Sequence, residues 1–338
     1  MANLRTGIAA LATIAALALG ACSTPADADP ADSQAPAEET TAADETTEAG
    51  TVEIEDNNGT LTVNVPPTSV VALDNRTFET LAAWGVELSA AARTLMPSTN
   101  PLKDDDSIPD LGNHREPNLE LIVAAEPDLI VNGQRFTDFF DDIATLAPDA
   151  VQLNLEPREG EPFDAELKRQ VTVLGQVFGK EAEAEALNGE FDASIEAVRA
   201  AYTEGETVMA VNVSGGNVGY IAPSLGRTLG PLFDIFGFTP ALQVDGASDD
   251  HQGDDISVEA IADANPDWIL VMDRDAAVSA DDPEYKPAAQ VIEESAALQG
   301  VTAVAEGNII YMPADTYTNE GIQTYTEFFN ALAEAFSA

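Results

Sequence analysis

An α/β fold in two similar lobes, each built on a central sheet and joined by a single long helix, is predicted by three observations. A fourteen-residue segment occurs twice, a proline-free helical stretch lies between the two copies, and about 288 residues follow Thr51, which suits two packed lobes better than one core.

The repeat organises the chain. Asn118 to Val131 (NLELIVAAEPDLIV) matches Ser257 to Leu270 (SVEAIADANPDWIL), with Glu120 over Glu259, Ile122 over Ile261, Pro127 over Pro266 and Asp128 over Asp267. Each copy reads as a short helix that stops before proline, since the residue preceding Pro is pushed out of the helical region. A buried apolar strand follows in each (LIV, WILVM). The first lobe is expected over residues 51–162. Within it Ser69 to Asp74 reads as a strand, Thr77 to Trp84 as a helix, and Gly85-Val86 as its stop. Residues 163–203 carry Ala, Leu, Glu, Lys and Arg at high density, with Val171, Leu174, Val177 and Phe178 at helical spacing, and predict the linking helix, interrupted at most near Asn188-Gly189. The second lobe is expected over 204–338, opening with the strand Val208 to Val213 and a helix over Leu229 to Phe236.

The first residues read as an address. Arg5 precedes an apolar run from Gly7 to Leu19, too short to span a bilayer, and the run ends in Leu19-Gly20-Ala21-Cys22. Small residues before the one cysteine of the chain resemble a bacterial lipoprotein cleavage and lipidation site. Residues 1–21 are therefore expected to be a signal peptide and Cys22 the lipidated residue. Two acyl chains on a thioether-linked diacylglycerol suffice for stable anchoring. With Cys22 so used, disulfides and cysteine metal sites are excluded. Residues 22–50, rich in Ala, Pro, Thr, Asp and Glu and lacking aromatic and basic residues, are expected to form a disordered tether.

Fourteen Lys and Arg against 60 Asp and Glu give a net charge of -46, which makes nucleic acid and anionic lipid surfaces poor partners. Because basic residues are scarce, an arginine in an apolar setting needs a reason. Arg135 (VNGQRF) and Arg274 (LVMDRD) both lie just beyond the carboxyl end of the repeated strand, one per lobe. That edge of an open α/β sheet is where ligands bind, so two facing lobes would offer these arginines to a shared cleft. Arg76, after the first strand of the first lobe, reaches the same edge. Arg115 could line the cleft too, but its place at a helix N-terminus beside Glu116 better suits a structural salt bridge, and Arg93 has no assigned role.

HREPNLELIVAAEPDLIV, the VMDR strand end and the closing IIYMPADTY, taken in this order and spacing, resemble the helical-backbone binding proteins of ABC importers, which serve ferric siderophores, cobalamin and haem. The similarity spans roughly Thr51 to Ala338 and is strongest to lipoproteins that bind catecholate siderophores. It implies capture of a ferric siderophore outside the cell, with iron present only as part of that ligand and no other cofactor. Delivery would be to a permease dimer driven by a cytoplasmic ATPase, from a monomer lipid-anchored on the outer face of the cytoplasmic membrane. In the catecholate group three arginines hold the anionic complex, and the matching positions are Arg135, Arg227 (PSLGRTLG) and Arg274; the usual Gly-Arg appears here as Gly133-Gln134-Arg135. Guanidinium suits that task, being always charged, planar and able to stack on catechol rings. Relatives that take tetradentate complexes complete the iron shell with a His and a Tyr, for which His251 and Tyr317 stand near the matching positions; otherwise His251 is a loop histidine among carboxylates and Tyr317 a rim residue packed on the ligand. Glu120 and Glu259 match the acidic residues that dock on permease arginines.

Catalysis finds little support. There is no Gly-x-Ser-x-Gly, Walker A or Rossmann glycine fingerprint, and the glycine-rich VSGGNVGY lacks the lysine and spacing of a phosphate loop. Two histidines, His114 and His251, argue against a receptor for bare zinc or manganese. The alternatives that stay open are a haem or hydroxamate-siderophore receptor and a cell-surface module without a transport role.

Overall fold

The computed structural model describes residues 50–338. The expected signal peptide, Cys22 and almost all of the tether lie outside the described residues. No helix among the described residues is long and apolar enough to cross a membrane.

The chain enters through a hairpin, β1 (Gly50–Asp56) and β2 (Gly59–Val65), paired antiparallel in full register. The turn Asn57-Asn58-Gly59 closes it. Gly59 takes φ +123°, a region open to glycine, and Asp56 accepts the amide of Asn58 at 2.7 Å.

The first lobe then runs β3 (Val70–Ala72), α1 (Phe78–Ala83), β4 (Ala90–Ala91), α2 (Glu120–Ala125), β5 (Leu129–Asn132), α3 (Phe140–Leu146) and β6 (Val151–Asn154). Its sheet has the order β4-β3-β5-β6, all parallel. Next come α4 (Phe163–Phe178) and α5 (Glu181–Ala201). The second lobe follows with β7 (Thr207–Ser214), β8 (Asn217–Ile221), α6 (Leu232–Phe236), β9 (Thr239–Pro240), α7 (Val258–Ala264), β10 (Trp268–Asp273), α8 (Arg274–Val278), α9 (Ala288–Glu294), α10 (Thr302–Glu306), β11 (Ile309–Tyr311) and α11 (Ile322–Phe336). Its sheet has the order β11-β10-β7-β8, with β9 also on β7; β8 alone runs antiparallel.

The repeat is structural in both lobes. α2 ends on Glu126 and α7 on Asn265, both at φ 45°, just ahead of the repeated Pro-Asp. Asp128 accepts the amides of Thr68 and Ser69 and the Thr68 hydroxyl at 2.8–3.1 Å, while Asp267 accepts the Thr207 amide and hydroxyl at 2.7 and 2.8 Å. Each aspartate thus pins the start of the neighbouring strand, β3 or β7. The strand after it is buried, wholly in β5 and over five of six residues in β10, as a parallel strand covered on both faces should be.

The linking segment differs from the expected single helix. Gly179, at φ +62°, ends α4, and α5 folds back along it, with Lys168 on Asp192 at 2.6 Å and Asn188 on Thr172 at 3.0 Å. Gly175 makes this close approach possible, since a Cβ there would stand 2.7 Å from that of Ala184. Gly189, where a break was expected, stays inside α5. Of the two helices, α4 is the one that joins both lobe cores. Its Leu167 and Val171 join the second lobe's core around Phe329, and its Val173, Leu174 and Val177 join the first lobe's core with Ile54, Val63 and Leu129. α5 packs on α11, where Phe191 stacks on Phe329 at 5.5 Å.

Candidate functional site

Both arginines predicted from strand ends arrive where the strands deliver them. β5 ends at Asn132, and Gly133 follows against Asp74, where any Cβ would stand 2.6 Å from the carboxyl carbon. Gln134 then takes φ 47°, turning the chain into a 3-10 helix that carries Arg135. The residue inserted relative to Gly-Arg is absorbed by this left-handed turn. Arg274 is the first residue of α8, directly after β10. Asp273 caps that helix, accepting the Ala276 amide at 3.0 Å while its other oxygen takes the Tyr285 hydroxyl at 2.9 Å and the Ala288 amide at 2.8 Å. Arg227 comes from the loop between β8 and α6.

The three guanidinium groups converge on one ring. The Cζ atoms of Arg135, Arg227 and Arg274 lie 4.8, 5.5 and 4.8 Å from the centroid of Tyr317, within cation–π range. Tyr317 itself is buried, on a short 3-10 turn after β11. Burial alone would raise its phenol, but hydrogen bonding and positive charge from Arg274 and Arg135 outweigh it and hold the phenol below the ordinary tyrosine range.

These side chains wall a cleft of about 670 Å³, together with Leu95, His114, Arg115, Asp138, His251 and Val278. His251 belongs to it, with its ring 6.5 Å from that of Tyr317 and its side chain half exposed. Asp250 stands 3.9 Å from its Nδ1. Arg115, expected to be occupied in a salt bridge, instead lines this cleft and makes no ion pair among the described residues. Arg93 is structural, donating to the Lys103 carbonyl at 2.8 Å.

Charge in the cleft is unevenly compensated. Arg227 pairs with buried Glu320 at 2.8 Å and Arg274 with Asp275 at 3.2 Å, whereas Arg135 makes no ion pair among the described residues and donates to the Tyr317 carbonyl at 3.0 Å. Among the described residues the Nε atoms of Arg135 and Arg274 have no hydrogen-bond partner. Positive charge is thus least compensated at Arg135, and an anionic ligand can contact it without displacing an ion pair.

Arg76 departs from expectation. It lies outside this cleft, in a buried ion network with Glu156 at 3.0 Å and Glu320 at 3.7 Å. It borders a second cavity, of about 880 Å³, that shares only Arg227 with the first. Sequence reasoning also missed Glu320, which accepts from Arg227 and Thr228, at 2.9 Å for the latter, and from Gln134 across the lobes. Its partners lie far apart along the chain, so no local signal marked it.

The segment after β11 sews the lobes together. Besides the Arg135–Tyr317 bond, Asn75 donates to the Thr318 carbonyl at 3.0 Å, Asn319 to Glu79 at 2.8 Å, and Gln323 to Thr80 at 2.9 Å. The cleft is therefore largely preformed.

A family model for periplasmic binding proteins matches residues 70–316. The chain belongs to the periplasmic binding protein family. That family consists of substrate-binding proteins rather than enzymes. The petrobactin-binding protein YclQ of Bacillus subtilis is 26% identical over 286 residues, covering 82% of this chain and 85% of the relative. The ferric-anguibactin-binding protein FatB of Vibrio anguillarum is 28% identical over 269 residues, covering 79% and 81%. Among solved structures, the catecholate-siderophore binding protein VctP of Vibrio cholerae superposes with a TM-score of 0.73 at 27% identity, covering 85% of this chain and all of that one. Among the described residues no group of three or more His, Cys, Asp or Glu side chains is placed to hold a bare metal ion.

Proposed function

We propose that this periplasmic binding protein captures a ferric siderophore of the catecholate type and delivers it to an ABC importer. The observation that carries this reading is the convergence of Arg135, Arg227 and Arg274, drawn from both lobes, on the ring of Tyr317. Three fixed guanidinium groups match a compact, multiply negative complex with flat aromatic rings, since each can form forked hydrogen bonds to catecholate oxygens and stack on a ring face. The relatives named for petrobactin, ferric anguibactin and catecholate siderophores support the same substrate class.

Arg135, Arg227 and Arg274 bind the ligand directly and Tyr317 is the platform that spaces them; Arg76 holds Glu320, which in turn orients Arg227. For a tetradentate complex, which leaves two iron positions open, His251 and Tyr317 supply the remaining donors from the second lobe. Glu120 and Glu259, both exposed in the first turns of α2 and α7, present one carboxylate per lobe to the permease. Cys22 carries the lipid that keeps the monomer at the membrane.

A ligand panel tests this reading. Equilibrium dialysis against iron(III) complexes of a bis-catecholamide, a tris-catecholamide and a trihydroxamate, and against haem, is expected to show saturable retention of the catecholates. Preferential retention of haem or the trihydroxamate would replace the proposed substrate, and retention of none would remove the transport reading.

A further inference from the structure

His114 lies in the loop before α2, on the first-lobe wall of the arginine cleft, across from His251 and Tyr317 of the second lobe. It has no part in the ligand set assigned above. Its Nδ1 is covered by protein and has no hydrogen-bond partner among the described residues. A covered N–H without an acceptor is costlier than a covered lone pair, so the ring proton belongs on Nε2. The imidazole is only partly buried, which leaves the Nε2 edge as its polar contact with the cleft. Burial, together with the positive charges of Arg135 and Arg115, holds His114 below the usual imidazole range, with Asp138 opposing weakly. At neutral pH it is a neutral ring offering one N–H.

We infer that His114 is a specificity-determining residue of the cleft, donating a hydrogen bond from Nε2 to an anionic oxygen of the bound complex. This inference rests on the reading of the cleft as a siderophore site. The first lobe otherwise contributes Arg135, exposed Arg115, Leu95, Asn113, Asp138 and Gln134, whose amide already donates to Glu320. A neutral donor in that wall adds directional recognition of a ligand oxygen without adding a further positive charge to the four guanidinium groups that already line the cleft. The tautomer assigned here also separates its role from that of an iron ligand, because a donating Nε2 has no lone pair to give a metal.

The iron(III) complex of a synthetic linear bis-catecholamide is the probe, titrated into wild type, His114→Ala, His114→Gln and Arg274→Ala. His114→Ala is expected to weaken binding about tenfold or more, as loss of a hydrogen bond to a charged acceptor does, and His114→Gln, which keeps an N–H donor, to recover most of it. Equal affinity of His114→Ala and wild type, with Arg274→Ala impaired, overturns this inference and leaves the siderophore reading intact. No binding by wild type overturns both. A loss in His114→Ala that glutamine does not recover refutes the hydrogen-bond role. Independently, the imidazole nitrogen-15 resonances of the unliganded protein at neutral pH should show a proton on Nε2; a proton on Nδ1 would contradict the assignment.

Discussion

Arg135 of the first lobe and Tyr317 of the second are joined twice: the guanidinium donates to the Tyr317 carbonyl at 3.0 Å, and its Cζ lies 4.8 Å from the ring centroid. A residue expected to hold ligand is thus also part of the seam between the lobes. Capture then needs only small rearrangement, because the second-lobe platform already fixes where the first-lobe arginine sits.

Removing the platform should disorganise all three arginines together. Tyr317→Ala is predicted to weaken binding of an iron(III) tris-catecholamide at least tenfold, since each cation–π contact is worth about 0.5–2 kcal/mol. Tyr317→Phe, which keeps the ring, is predicted to stay within about threefold for this hexadentate ligand. Equilibrium dialysis of the two variants distinguishes them, and a Phe variant as weak as Ala would show that the hydroxyl matters more than the ring.

Glu320 compensates Arg227 and Arg76 from a buried position. Substituting Glu320→Ala leaves the partly buried Arg227 without its carboxylate and Arg76 with Glu156 alone, and breaking a buried pair in this way typically costs about 3–5 kcal/mol. The midpoint of urea unfolding should fall accordingly; an unchanged midpoint would show that the network is solvated rather than buried.

Asp74 gives the pH dependence of stability. Burial, and then the neighbouring Glu156, push its carboxyl up to about 7 against the pull of Arg76. A raised folded value stabilises most below the unfolded carboxyl range, near 4, and that contribution is lost as pH rises through about 7. Asp74→Asn cannot ionise, so relative to wild type it is predicted to gain roughly 2–4 kcal/mol between about pH 4 and pH 8. Thermal unfolding of both proteins across that range measures it, and parallel curves would contradict the assignment.

Long-range charge should act against the local site. With a net charge of -46 the protein repels an anionic complex at a distance, while the cleft arginines act at contact. Screening lengths shrink from about 30 Å at 0.01 M salt to about 8 Å at 0.15 M, so the association rate for a ferric catecholate is predicted to rise with ionic strength. Stopped-flow traces that slow with added salt would show that steering by local positive potential dominates.

Much of this architecture was legible in the sequence because it is encoded locally. The repeated Pro-Asp announced two like lobes, and its aspartates pin equivalent strands, at Thr68 in one lobe and Thr207 in the other. Arg135 and Arg274 were readable because strand ends and scarce basic residues single them out. Arg76 satisfies the same rule yet is occupied elsewhere, since its partners Glu156 and Glu320 come from distant segments. The hairpin of β1 and β2 carries a local turn signal in Asn57-Asn58-Gly59. In the linking segment Gly179 marked the true break, while Gly189 did not, and propensity could not rank them: the turn at Gly179 is chosen by packing of Gly175 on Ala184. Neither Trp84 nor Trp268 lines the cleft, so binding is better followed through the ligand than through tryptophan contact.

The most direct test of the central claim is equilibrium dialysis of the iron(III) tris-catecholamide against wild type and Arg274→Ala. The account predicts saturable binding of one complex per protein, weakened by about a hundredfold in the variant, as loss of a charge-assisted, partly desolvated contact implies. Equal binding by the two proteins, or none by either, would contradict it.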